Sequence, residues 1–262
     1  MIPLPLKPKV IKKEENRATF EIEALYPGYG TTIGNSLRRV LLSSLPGAAI
    51  TQIKIKGVQH EFSTIPYIIE DVVMIMLNLK QLRFKLYTDE PQKAVLKAKG
   101  EKEVRGSDLE LPSQVEIINK DAHIATLTSK SAELEMELLI EKGIGYLPVE
   151  KRKKQEKLEI GVIPLDAIFT PVKKVSFQVE NMRVGERTDF DRLRMEIETD
   201  GSISPEGAMS ATSEILVQHF SLIFENFKEA EKSLLPAISV EKKVRKRAIK
   251  KHEKKKKRKK TK

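Results

Sequence analysis

Residues 29–47 read YGTTIGNSLRRVLLSSLPG. Ile33, Leu37, Leu41 and Leu45 recur every four residues, the spacing of a single helix face. Thr31 or Thr32 is placed to cap the start, and Pro46-Gly47 to stop the helix. Yet Arg38 and Arg39 sit in its middle, flanked by Leu37, Val40, Leu41 and Leu42. A helix that only covers its own domain needs one apolar face and a solvated back. This one furnishes a second face as well.

Outward from it, the chain reads as α+β. Upstream, RATFEIEA at 17–24 alternates Ala18, Phe20, Ile22 and Ala24 with polar residues, the pattern of a half-buried strand. YPGYG is a turn. Downstream lies a β-rich stretch. QIKIKGV, LRFKLYT (82–88) and ELEMELLIE (133–141) all alternate, with turn-rich pieces such as KGEKEVRGSD and KGIGYLPVEKRKKQEK between them. IIEDVVMIMLNLKQL, 68–82, is apolar nearly all round and is expected as a buried helix. The last third returns to α+β with KVSFQVE, RLRMEIETDGSISP and a long helix. Ser204 is its N-cap, Pro205 its first residue and Glu206 a complement to its dipole. Along that helix Met209, Leu216, Phe220, Ile223 and Phe227 form a stripe, widened by Ile215 and Phe224, and it should fade near Leu235-Pro236.

The bulk composition narrows the function. With 262 residues, 40% hydrophobic, 5% aromatic and no Trp, the chain can build an aliphatic core. It has no cysteine, which fits a reducing compartment. No apolar run is long enough to span a bilayer, and the opening MIPLPLKPKV lacks the apolar core of a signal peptide. The net charge of +11 is not spread evenly. Val240 to Lys262 holds 15 Lys/Arg against two Glu, a net +13, which leaves −2 on residues 1–239. Such a block is expected to be a disordered tail, attracting nucleic-acid phosphates without sequence preference. Lys254, Lys255, Lys256, Lys257 and Arg258 belong to its densest run.

Tests for chemistry come back empty. GIG and GYG lack the remaining glycines and the lysine of a phosphate loop. The four histidines, His60, His123, His219 and His252, are scattered. Asp189 and Asp191 in TDFD form the nearest approach to a magnesium site, but two carboxylates so spaced more often cap or turn the chain. Ser43-Ser44 has no base nearby. A chain built for contact and not for chemistry reads as a scaffold. The arginine pair and the long Phe/Ile/Leu stripe fit protein interfaces, where arginine and large apolar residues concentrate. Two rivals are a basic-tailed nucleic-acid-binding protein of ribosomal type and a small-molecule enzyme with a cryptic site.

One long series of blocks resembles a known family. YPGYGTTIGNSLRRVLLSSLPGAAITQIKIKGVQHEFSTI, EDVVMIMLNLK, GIGYLP, PVKKVSFQVE and RVGERTDFDRLRMEIETDGSISPEGAMSATSEIL occur in the order of the bacterial-type RNA polymerase alpha subunits, over roughly residues 15–230. The resemblance implies a dimerisation subdomain of antiparallel sheet plus two long helices, from residues 1–46 and 172–236. A β-rich insert, 47–171, interrupts it, and the basic tail, 237–262, follows. It implies a homodimer, with Ile33, Leu37, Leu41, Phe220, Ile223, Phe224 and Phe227 shared between own core and dimer contact in a division the sequence leaves open. It further implies that one copy binds the β subunit and the other β′, which together hold the catalytic magnesium. This chain itself then carries no catalytic residue, cofactor or metal. The second arginine of LRR, Arg39, with Leu42, matches a β-contact position. Lys80, Leu165 and Asp166 match positions of large-subunit contact, mostly β′. The family's carboxy-terminal DNA-binding domain is not expected in the short stretch after Pro236, where the basic tail stands instead. Location in a bacterial cytoplasm is expected, with a plastid as the alternative.

Overall fold

Strands that alternate apolar and polar residues supply most of the first sheet. The computed structural model describes residues 2–152 and 161–228. In chain order the elements are β1 (Lys9–Lys13), β2 (Arg17–Leu25), α1 (Tyr29–Ser43), β3 (Pro46–Ile55), α2 (Val72–Leu79), β4 (Phe84–Leu86), β5 (Gln92–Lys99) and β6 (Lys102–Arg105). After a 3-10 turn at Gly106–Asp108 come β7 (Leu109–Glu110), β8 (Val115–Ile117), β9 (His123–Leu127), β10 (Glu133–Ile144), β11 (Tyr146–Leu147) and the short α3 (Val149–Arg152). β12 (Val162–Pro164), β13 (Ala167–Ile168), β14 (Val172–Val184) and β15 (Arg187–Thr199) follow, and residues 205–228 are helical. The chain divides into two compact units, 1–213 and 214–262.

The first unit holds two main sheets that share no strand. One is four-stranded and antiparallel, in the order β1-β2-β15-β14, so it joins both flanks of the sequence. Its inner positions, among them Phe20, Val175, Leu193, Met195 and Ile197, are buried. Helix α1 packs on β14 and β15. The polar positions of these strands carry ion pairs, with Arg194 2.7 Å from Glu21 and Arg192 3.4 Å from Glu23. The other sheet is seven-stranded, in the order β7-β5-β10-β3-β4-β8 with β12 beside β3, and all its pairings are antiparallel. Its core is aliphatic, as the composition implies: Ile53, Leu96, Leu134, Met136 and Leu138 meet Val72, Ile75 and Leu79 of α2. On the other side of β10, Glu133 stands opposite Lys99 and Glu135 opposite Lys97, while Lys56 reaches Glu135 at 2.9 Å. Opposed charges on adjacent strands stabilise the pairing.

Three local expectations need correcting. Helix α1 begins at Tyr29 with Gly28 at its cap in the left-handed region (φ 85°), so Thr31 and Thr32 lie inside it. Helix α2 is shorter than the apolar run and buried on one side only. Val72, Ile75 and Leu79 face the core, while Met74 and Leu77 are each 48% exposed. Its own Asp71 caps it, accepting from the Met74 N–H at 2.7 Å. The turn-rich KGEKEVRGSD contains β6, which pairs with β9. At Ser204 the expectation holds: its hydroxyl accepts from the Gly207 N–H at 3.1 Å, and Glu206 pairs with Lys13 at 2.6 Å.

Candidate assembly surface

Helix α1 is seated by two glycines and a distant carboxylate. A Cβ on Gly30 would come within 2.7 Å of Val179, and one on Gly34 within 2.8 Å of Phe177, so both glycines let the helix lie close on the sheet. The helix has no acidic residue in its first turn and no side-chain cap of its own. Asp191 of β15 supplies both. One oxygen of its buried carboxylate accepts from the Gly28 and Gly30 N–H groups at 2.9 Å each. Four orphan amides and the positive end of the dipole favour an anion at this place. The TDFD pair therefore caps and ties: Asp189 is held by Arg187 through two bonds, of 3.0 and 2.6 Å. Among the described residues no group of three or more His, Asp or Glu is arranged to hold a metal ion.

Seated this way, α1 divides its side chains. Leu37 and Leu41 are buried in the chain's own core, and Ile33 is half-buried. Arg38 and Arg39 are exposed and, among the described residues, form no ion pair. Leu42 is 37% exposed beside them. The stripe and the arginine side thus face different ways, one into the core and the other to solvent.

The three insert positions fare differently from one another. Lys80, at the C-cap of α2, and Asp166 are brought together at 3.2 Å, each partly exposed. The Val149 N–H, donating at 2.9 Å, is the main reason the Asp166 carboxyl sits below the usual carboxylate range; burial opposes this, and Lys80 and the Tyr146 hydroxyl add to it. Leu165, by contrast, is 1% exposed and belongs to the insert core, so its side chain is spent within the chain. Next to the pair lies a small two-stranded sheet, β11 with β13, in which Tyr146 stands opposite Ile168. The sequence singles out neither residue: a strand of two residues is too short to show a period.

The 205–228 helix changes character along its length. Pro205, Ala208 and Thr212 are buried. Farther on, Val217, Phe220, Leu222, Ile223, Phe224 and Phe227 are each more than half exposed. Four of these are residues named above for the dimer. A single exposed Leu is ordinary, but a contiguous exposed apolar stripe marks an interaction surface. The basic tail, including Lys254–Lys257 and Arg258, lies outside the described residues, as do residues 153–157 of KGIGYLPVEKRKKQEK and the expected helix end near Pro236. Among the described residues no helix is long and apolar enough to cross a membrane.

The chain is similar to known proteins over most of its length. Residues 53–170 match the model of the RNA polymerase Rpb3/RpoA insert domain. The chain is 53% identical over 217 residues to the DNA-directed RNA polymerase subunit alpha of Roseiflexus castenholzii, covering 83% of this chain and 66% of that one. It is 50% identical over 230 residues to the same subunit of Herpetosiphon aurantiacus (87% and 69%) and 48% identical over 229 residues to that of Oceanobacillus iheyensis (86% and 72%). It spans about two thirds of the length of these relatives.

Proposed function

This chain belongs to the family of DNA-directed RNA polymerase alpha subunits, and from that premise we propose that it is the dimeric scaffold on which the two large polymerase subunits assemble. The observation that carries the proposal is the exposed stripe of the 205–228 helix, where Val217, Phe220, Ile223, Phe224 and Phe227 share one face and are each more than half exposed. A second copy covering the same stripe makes a symmetric, isologous contact. Arg39 and Leu42, turned away from the core, are offered to β on one copy. The Lys80–Asp166 pair is offered to β′ on the other. Nucleotidyl transfer and its magnesium then reside with the large subunits, and this chain contributes placement. The basic tail adds salt-sensitive attraction to the nucleic acid of the assembled enzyme, in a bacterial cytoplasm.

Light scattering on the purified chain, beside a pull-down from its own cells, tests the proposal. A dimer that brings down two very large chains, one of each per dimer, supports it. Arg39→Ala should then lose the β-like chain and keep the dimer. A monomer that brings down only RNA overturns it in favour of the basic-tailed nucleic-acid-binding reading. Deleting residues 240–262 should weaken DNA affinity of the assembled enzyme at low salt, and unchanged affinity removes the tail from the account.

A further inference from the structure

We propose that His123 is a proton-operated clasp on a strap formed by residues 67–70: with both ring nitrogens protonated it holds the strap down on β9, and with the ring neutral it lets the strap lift. Two separate observations carry this, a strained residue and an imidazole placed between two carboxylates. The strap pairs with β9 through an isolated antiparallel bridge, Ile68 opposite Leu127. The Ile69 N–H donates to the Thr126 carbonyl at 3.1 Å. The Tyr67 carbonyl accepts from both the N–H and the hydroxyl of Thr128, at 2.9 and 3.0 Å. Ile68 packs against the insert core, while Tyr67 and Ile69 are 58% and 69% exposed. Tyr67 sits in the left-handed region (φ 65°), where a bulky side chain is strained. Its exposed ring gains little from burial, so the bonds along the strap hold it there. The strap is loaded toward opening.

Glu70, at the end of the strap, is where it is fastened. One carboxylate oxygen accepts from the Thr126 N–H at 2.6 Å. The other accepts from the Thr126 hydroxyl at 3.0 Å and lies 2.8 Å from Nε2 of His123. Across the ring, Nδ1 lies 3.0 Å from the Glu103 carboxylate of β6, and Arg105 of the same strand holds Glu103 at 3.1 Å. Glu70 from the strap and Glu103 from β6 are thus the charged groups on the ring, with Arg105 behind Glu103 and the Thr126 hydroxyl contributed by β9. Arg105 first, and His123 after it, holds the Glu103 carboxyl below the usual carboxylate range. For Glu70 burial works the other way, but the Thr126 amide and His123 outweigh it and hold that carboxyl low as well.

Both partners are therefore anions at neutral pH, and anionic carboxylates only accept. A neutral imidazole donates from one nitrogen and turns a lone pair outward from the other, so it serves one carboxylate and opposes the second. The imidazolium serves both. Imidazoles exchange this proton between about pH 5 and pH 8. Raising the pH through that interval withdraws one donor from the clasp, and the strain at Tyr67 then lifts the strap. The effect reaches α2, because its cap Asp71 follows Glu70 directly and its other end carries Lys80.

Amide hydrogen exchange on the full chain tests the clasp, read at Ile69 and Thr128 from about pH 5 to about pH 8 and corrected for the intrinsic base-catalysed rate. Protection of these two amides, relative to those of β10, should fall about ten-fold as pH rises. His123→Gln is neutral at every pH and should give low protection throughout. Glu103→Gln lets a neutral ring donate to Glu70 and accept from the new amide, so protection should stay high and flat. Tyr67→Gly removes the strain and should also keep the strap down over the whole range. His60, an imidazole that bonds Ser63 at 3.2 Å, supplies the control: His60→Gln should leave the response intact. Ile69 and Thr128 amides that follow those of β10 at every pH overturn the clasp. So does a pH response that survives in His123→Gln, or one that is lost in His60→Gln.

Discussion

At the scale of the residue, Asp191 and Asp166 show how far one carboxylate reaches. Asp191 accepts from two amides that lie 163 and 161 residues away in sequence, and it is nearly free of solvent. Asp191→Ala removes the cap of α1 and strands the buried amides, costing about 2 kcal/mol. Thermal or urea melts check the loss, and amide exchange at Gly30 should rise first. Gly30→Ala fails differently, since its Cβ would press on Val179 and on Asp191 itself. Asp166 makes a pH prediction. The Val149 N–H leads in holding its carboxyl below the ordinary 3.8, against burial and with help from Lys80. A depressed folded-state value gives stability that is complete above the unfolded value and is lost as pH falls through the folded one. The natural chain should therefore hold a constant melting-temperature lead over Asp166→Asn above about pH 5, and the lead should close as pH drops below 3.8. A lead that widens toward low pH contradicts the pairing.

At the scale of the element, the 205–228 helix carries the sharpest expectation. Phe220 and Phe224 are 61% and 63% exposed, so replacing both with Ser should cost the folded monomer about 0.5 kcal/mol or less. Across a dimer contact each buried Phe is worth about 1.5–3 kcal/mol, so the double variant should dissociate at least ~100-fold more readily. Sedimentation equilibrium reads this directly. A melting temperature that falls while the dimer holds would place the stripe in the chain's own core. The sequence discloses elements of this kind well where one period dominates. β2, β14 and β15 alternate and were legible, and so was the capped start at Ser204. It discloses burial badly where a segment is apolar on every side, because composition does not say which side is covered. Helix α2 is the example, with Met74 and Leu77 open beside a buried Ile75. Short paired segments such as β6, β11 and β13 carry too few residues for any period to appear. Partnerships such as Lys80 with Asp166, 86 residues apart, depend on the fold itself. The positions had been singled out, but nothing in the sequence says that they meet.

At the scale of the whole molecule, the question is how two sheets with no common strand behave as one unit over residues 1–213. Arg83 stands at the seam between them. Its guanidinium donates to the Lys80 carbonyl at the end of α2, at 3.0 Å, and lies 3.8 Å from Asp200, just past β15. The Asp200 side chain is only 7% exposed, and it also accepts from the Ser202 N–H at 2.9 Å. Nearby, Gly201 sits so close to Ile118 of the insert that a Cβ would come within 2.9 Å. Ties of this kind join the four-stranded sheet to the seven-stranded one, so each should weigh on their coupling more than on either sheet alone. Arg83→Met keeps the aliphatic stem and removes the charge, leaving a buried carboxylate without its cation at a cost of about 2 kcal/mol. The natural chain should melt in one calorimetric transition. In Arg83→Met the two sheets should begin to part company, with the transition broadened or split. A variant that melts in one sharp transition, merely shifted down, would show that Arg83 stabilises the insert without coupling it to the sheet on which α1 rests.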